Sequence, residues 1–233
     1  MCIRDRPSRE FFLGTDALGR CVFSRMIYGA SRTIFSSLIL VSLMFVFGSF
    51  IGIISGYIGG LFDNIVMRIV DVFLAFPSLV LAIAVAGVLG GGMINAMIAI
   101  GVIGWTKYAR LARGEVLEIK EETFIKAARL SGNSSMYIVF KHIMPRVLST
   151  LIVTASLDIG TTIMEMAALS FLGLSSPLPI PEWGAMMNEG KSMIQFAPWI
   201  TIAPGIAIFI IVILFNLLGD VVPVSYTHLT LPT

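Results

Sequence analysis

Two stretches of this chain carry no charged residue, Thr33 to Phe62 and Val72 to Thr106. A helix that crosses a bilayer needs roughly 20 apolar residues. The first stretch therefore holds one span, over about Thr33–Ile54, in which Gly48, Gly52 and Gly56 recur on one face and permit close helix approach. The second is too long for a single span and must turn, with Gly90-Gly91-Gly92 the obvious place. It divides into helices over about Ile65–Leu89, kinked at Pro77, and Met93–Leu111. Val147–Phe171 and Ile200–Leu218 supply two more apolar segments, for five spans in all. Of the 233 residues, 57% are hydrophobic and 13% charged, against about 25% charged in soluble domains. The fold class expected is all-α, a polytopic membrane helix bundle.

The spans are interrupted by one long polar segment, Lys107 to Arg146. It holds Lys107, Arg110, Arg113, Lys120, Lys126, Arg129, Lys141 and Arg146, half of the 16 lysines and arginines. Short loops rich in Lys and Arg stay cytoplasmic, so this is read as a cytoplasmic loop. Glu115 to Leu130 lacks Gly and Pro and is rich in helix formers. Glu122 and Lys126 are spaced for an i,i+4 pair. Phe124, Ala127, Ala128 and Leu130 form an apolar stripe with small residues at its centre. Gly132 is placed to end that helix. Asn133 or Ser134 can cap a second one over Ser135–Ile143. Pro145 suits the first turn of the following span. Taken alone, the pattern fits a helix docked in a partner's groove, and fits at least as well an amphipathic helix resting on lipid headgroups.

Within the fourth span, Asp158 and Glu165 lie seven apart on one helix face. Ionisable groups inside a bilayer are costly and usually face a bundle interior or water. They are candidates to line a translocation path, or to bond a neighbouring helix. Leu172–Trp199 is a Pro-rich loop whose one basic residue is Lys191, as expected outside, with Trp183 and Trp199 as interfacial anchors. Five spans with the C-terminus inside place the N-terminus outside, together with Arg20, Arg25 and Arg32.

Other chemistry is sparse. The net charge of +2 makes no case for nucleic acid. Two cysteines, Cys2 and Cys21, and two histidines, His142 and His228, make neither a disulfide framework nor a metal set, so no cofactor or metal is expected. Gly184–Ser192, GAMMNEGKS, imitates a phosphate-binding loop, but five residues separate its glycines and no strand pattern precedes it. An intramembrane enzyme would need a polar pair at matched depth in two spans, and only Asp158 and Glu165, in one span, are available.

AARLSG followed by KHIMP resembles the "EAA" loop of binding-protein-dependent ABC transporter permeases. Ala127, Ala128, Gly132 and Pro145 keep that loop's spacing, with Lys126 where Glu is usual and His142 as in the dipeptide and oligopeptide branch. LGTDALGRCVFSRMIYGASRT, GYIGG, MRIVDVFLAFPSLVLAIAV, GWTKYARLARGEVL, ALSFLGLSSPLPIPEWGAMMNEG and FNLLGD are similar, in order, to the C-type subunit of dipeptide, oligopeptide and nickel importers. The resemblance covers Leu13 to Asp220. It implies a type I ABC importer transmembrane domain over 33–220, after an N-terminal segment 1–32 and before a tail 221–233. It also implies a prokaryotic inner-membrane location and a family pattern of six spans, the first absent here. Residues 1–6 and the tail resemble translated adaptor sequence.

The same resemblance implies partners: a second permease subunit in a heterodimer, two ATP-binding subunits, and an extracytoplasmic substrate-binding protein. ATP hydrolysis would then reside on the separate subunits, and this chain would not itself be an enzyme. The loop would be the coupling helix that seats in an ATPase cleft, with Phe124, Lys126, Ala127, Ala128, Gly132, His142 and Pro145 as its candidate residues. An uncoupled channel or secondary transporter is the alternative, and it would not need such a loop.

Overall fold

The computed structural model describes residues 7–9, 11–175 and 179–229, the last ten by backbone only. Cys2, His228's side chain and residues 1–6 therefore lie outside what is described. The regular structure of the described residues is helical, with one isolated bridge between Thr15 and Cys21. In order the helices are α1 (Val22–Ile58), α2 (Gly60–Leu74), α3 (Ser78–Leu89), α4 (Met93–Ile119), α5 (Thr123–Leu130), α6 (Ser135–Ile138), α7 (Met144–Phe171), α8 (Trp183–Gly190) and α9 (Trp199–Leu229). The chain forms two compact units. One comprises 1–40, 79–100 and 158–217, the other 41–78, 101–157 and 218–233.

Several boundaries differ from those expected. Helix α1 begins at Val22, well before Thr33. Of the arginines that made 22–32 read as polar, Arg25 is absorbed locally while Arg32 is exposed. The Arg25 guanidinium donates to Asp16 at 2.6 Å and to both Glu189 oxygens at 2.6 and 2.7 Å. Pro77 does not kink a span but accompanies a full break, since α2 ends at Leu74 and α3 starts at Ser78. Proline disfavours helical backbone in the residue before it and cannot donate its own hydrogen bond. Helix α4 runs on to Ile119 instead of ending near Leu111, and α9 continues past Asp220 to Leu229.

Among the described residues three helical stretches are long and apolar enough to cross a membrane: Val22–Ile58, Ser135–Phe171 and Trp199–Gly219. A fourth is added if α2 and α3, bent at their break, count as one. The expected fifth, α4, falls short because Lys107, Arg110 and Arg113 follow only 14 uncharged residues, Met93–Thr106.

In the unit containing 158–217, α8 is folded into a core instead of belonging to an open loop. Val22, Trp183, Met186, Ala197, Ile200 and Ala203 are buried together. Trp183 is thus no interfacial anchor; its indole N–H donates to the Met26 carbonyl at 2.9 Å. Gly184 sits so close to Ala167 and Ser170 that any side chain there would collide. Most of the imitation phosphate loop, Gly184–Gly190, is therefore helix, held by these close contacts.

In the unit containing 41–78 and 101–157, α1 packs on α4 through the three expected glycines. A Cβ at Gly48 would strike Trp105 and Tyr108, one at Gly52 would strike Ala109 and Ala112, and one at Gly56 would meet Val116 and Arg113. The four-residue spacing places all three on one face, and the backbones close on each other there.

Candidate functional site

The loop expected to dock lies wholly in this second unit. Its helix does not run from Glu115 to Leu130. Glu115–Ile119 belongs to α4, a turn follows at Lys120–Glu122, and α5 spans Thr123–Leu130. Ile119 and Ile125 explain the break, because both are buried. Six residues apart on one straight helix, they would point about 120° away from each other. The turn re-aims the chain so that each reaches the interior.

The end of α5 and the start of α6 are formed as the sequence suggests. Gly132 has φ +84°, the left-handed conformation that glycine adopts without penalty. The Gly132 N–H donates to the Arg129 carbonyl, and the Asn133 backbone and side-chain N–H groups both donate to the Ala128 carbonyl. Ser134 caps α6, accepting from the Tyr137 N–H at 3.3 Å. Helix α6 passes through a π-helical turn, Val139–Ile143, into α7. The Met144 N–H reaches back five residues to the Val139 carbonyl. That wide turn carries the helix past Pro145, whose nitrogen has no hydrogen to give.

The surface this produces is apolar and exposed. Leu130 is 90% exposed, and Met136, Tyr137 and Phe124 also stand out. Ala127 lies on the same open side, while Ala128 is half-buried. Lys126 is exposed and pairs with Glu121 at 3.0 Å, not with Glu122. That bond and the Lys126 charge hold the Glu121 carboxyl below its ordinary value. Glu122, extended at the start of α5, turns instead to Arg146 at 2.7 Å.

Beneath this crest lies a frame that the sequence does not reveal. His142 is half-buried between the rings of Phe124 and Tyr137, at centroid distances of 5.9 and 5.8 Å. It braces α5 against α6. Arg146 lies over the Phe124 ring at 5.4 Å while it holds Glu122. Arg129 lies over Tyr57 at 5.8 Å. Lys120 donates to the Gly56 carbonyl at 3.2 Å. Arg113 holds Asp63 in a two-point clamp at 2.7 and 2.6 Å, and Asp63 also accepts from Ser55 at 2.6 Å. Such forked pairs fix orientation as well as charge. No sequence pattern announces the longest of these contacts: Glu122–Arg146, Asp63–Arg113, Gly56–Lys120 and Tyr57–Arg129 join residues 24 to 72 apart.

The pathway candidates lie in the other unit. Asp158 is buried and Glu165 half-buried, both on α7, and both are engaged by neighbours. Gly160, beside Asp158, is packed against Asn216 and Val212 of α9. Among the described residues no group of histidine, cysteine and acidic side chains could hold a metal ion.

Comparison with known proteins gives the same architecture and a family. Residues 48–224 match the family of the binding-protein-dependent transport system inner membrane component. The dipeptide transport system permease protein DppC of Alkalihalophilus pseudofirmus is 43% identical over 214 residues, 92% of this chain and 70% of the relative. The glutathione transport system permease protein GsiD of Pectobacterium atrosepticum is 42% identical over 218 residues, covering 94% and 72%. Among solved structures, the inward-facing MetNI methionine ABC transporter superposes with TM-score 0.70 at 20% identity, over 87% of this chain and 97% of the other. An amino acid ABC transporter gives 0.64 at 15% identity, over 85% and 92%. With an all-helical bundle of membrane-spanning length and a family match over most of its residues, this chain belongs to the binding-protein-dependent inner membrane components, the permeases of ABC importers.

Proposed function

We propose that this chain forms half of the translocation path of an ATP-driven importer for small peptides, and that α5 and α6 are the part an ATPase subunit pushes. The observation that carries the reading is the exposed apolar crest of Phe124, Ala127, Leu130 and Tyr137 on a base locked by ion pairs. An apolar surface on a charged loop is costly to leave in water, and a rigid base can pass on a displacement as a body. Names of relatives supply the substrate class: one is a dipeptide permease and another a glutathione permease. Around the chain we place a second permease subunit, two ATP-binding subunits and an extracytoplasmic binding protein. ATP is hydrolysed on those separate subunits, and Asp158 and Glu165 face the path or the partner permease.

Gly132 does not itself test the docking. Its Cβ position is open, but its φ is positive, so a bulky residue there would confound strain with obstruction. Ala127→Trp is the cleaner probe, because Ala127 is exposed and helical. The chain is co-expressed with a binding protein, a second permease and the ATPase subunits of a dipeptide importer, and uptake of a labelled dipeptide is measured. The expected result is loss of uptake and of ATPase co-purification in Ala127→Trp, with normal membrane insertion. Full uptake by that variant overturns the coupling assignment, and uptake that persists without ATPase subunits favours an uncoupled channel.

A further inference from the structure

The face of α2 offers a different site. Asn64, Met67, Arg68 and Asp71 of α2 and Arg110 and Arg113 of α4 line a pocket of about 380 Å³. Three guanidinium groups meet one carboxylate there, and Asp63, which Arg113 clamps, is buried behind. Arg110 pairs with Asp71, both about half exposed, and an exposed pair of that kind is weakly held. Arg68 has no ion-pair partner among the described residues. The pocket thus carries positive charge that the protein does not neutralise.

Its surroundings say what kind of anion belongs there. Leu61, Ile65, Ile69 and Val72 recur at three- and four-residue intervals along α2 and are 47–76% exposed. Arg68 borders this stripe, three residues from Ile65 and one from Ile69. A soluble anion would use the guanidinium groups and leave the stripe bare. A lipid uses both, with its phosphate at the arginines and its acyl chains along the stripe. Basic pockets between helices on the cytoplasmic side of a membrane protein take lipid headgroups in this way. We infer that the Arg68–Arg110–Arg113 pocket holds the headgroup of an anionic phospholipid whose acyl chains cover the exposed stripe of α2.

Native mass spectrometry of the full chain, purified in mild detergent, tests this with phosphatidylglycerol and phosphatidylcholine of matched acyl chains. The wild type is expected to retain phosphatidylglycerol preferentially. Arg68→Gln should cut that preference roughly fivefold, the factor for one basic residue at a lipid surface. It should not disturb folding, because Arg68 is exposed and unpaired. Asp71→Asn, which frees Arg110, should raise retention. Lys141→Gln, an exposed cation outside the pocket, should leave it unchanged. Equal retention of the two lipids overturns the proposal, as does equal loss in Arg68→Gln and Lys141→Gln. Displacement by glycerol phosphate alone at the same concentration would also overturn it, because the acyl chains would then contribute nothing.

Discussion

Glycines of this chain do three different jobs, and substitution separates them. At Gly52 a side chain has no room between α1 and α4, since its Cβ would fall inside contact distance of the Ala109 carbonyl and the Ala112 Cβ. Gly52→Ala should lower the stability of the detergent-solubilised protein by about 1–3 kcal/mol, the usual range for overpacking, measured as a drop in melting temperature. Gly114, a helical glycine in α4, has nothing within reach of a Cβ. Gly114→Ala should instead stabilise by up to about 1 kcal/mol, the propensity difference alone. Gly132→Ala falls between: space is open, but a left-handed backbone with a side chain costs roughly 1–2 kcal/mol, localised at the end of α5. The first and third jobs are legible in the sequence. Four-residue spacing marks the packing face of Gly48, Gly52 and Gly56, and Gly132 stands where a helical pattern stops. The permissive Gly114 is not, because only a neighbour's absence identifies it.

At the scale of elements, local chemistry was readable and long-range pairing was not. The caps of α5 and α6 depend on residues within five positions, and the sequence shows them. The division of Glu115–Leu130 depends on where Ile119 and Ile125 must be buried, and no Gly or Pro marks it. The Glu122–Lys126 pairing fails for the same reason, since Glu122 has a better-placed partner in Arg146, 24 residues away. That partner leads to a prediction. The Arg146–Glu122 pair is largely exposed, and its contribution with the Phe124 stacking is on the order of 1 kcal/mol. Arg146→Gln should therefore scarcely change the melting temperature, yet increase hydrogen exchange over 123–130. Unchanged exchange there would show that Ile125 alone holds α5. The turn before α1 responds to acid instead. Burial raises the Asp16 pKa, but the N–H groups of Arg20 and Leu18 and the Arg20 side chain outweigh it, and the net shift is downward. A carboxylate depressed on folding stabilises above its unfolded value, near pH 4, and loses that contribution as pH falls through the folded value. The melting temperature should fall between about pH 5 and pH 2, and Asp16→Asn should flatten the part of that fall due to this turn.

For the whole molecule, the distribution of charge sets the orientation we expect in the membrane. Four of the basic residues between Lys107 and Arg146 are ion-paired, yet the segment keeps its cationic excess, which favours the cytoplasmic side. Arg20, Arg25 and Arg32, on the outer side in that orientation, count against it as bare charges, and Arg32 is exposed. Arg20 and Arg25 are not bare, because Asp16 and Glu189 surround them with an equal number of carboxylates. Retaining such a neutral quartet outside costs little in an electrostatic sense. The orientation can be read directly with single cysteines, after Cys2 and Cys21 are replaced by serine. Leu130→Cys reports the α5 crest, and Phe196→Cys, at a position 77% exposed, reports the segment between α8 and α9. A membrane-impermeant maleimide added to intact spheroplasts should label Phe196→Cys and spare Leu130→Cys, and both should react once the membrane is permeabilised. The reverse pattern would put the crest on the outer face, out of reach of any cytoplasmic ATPase. The ion-paired arginines would then lie inside, where their neutralisation explains nothing.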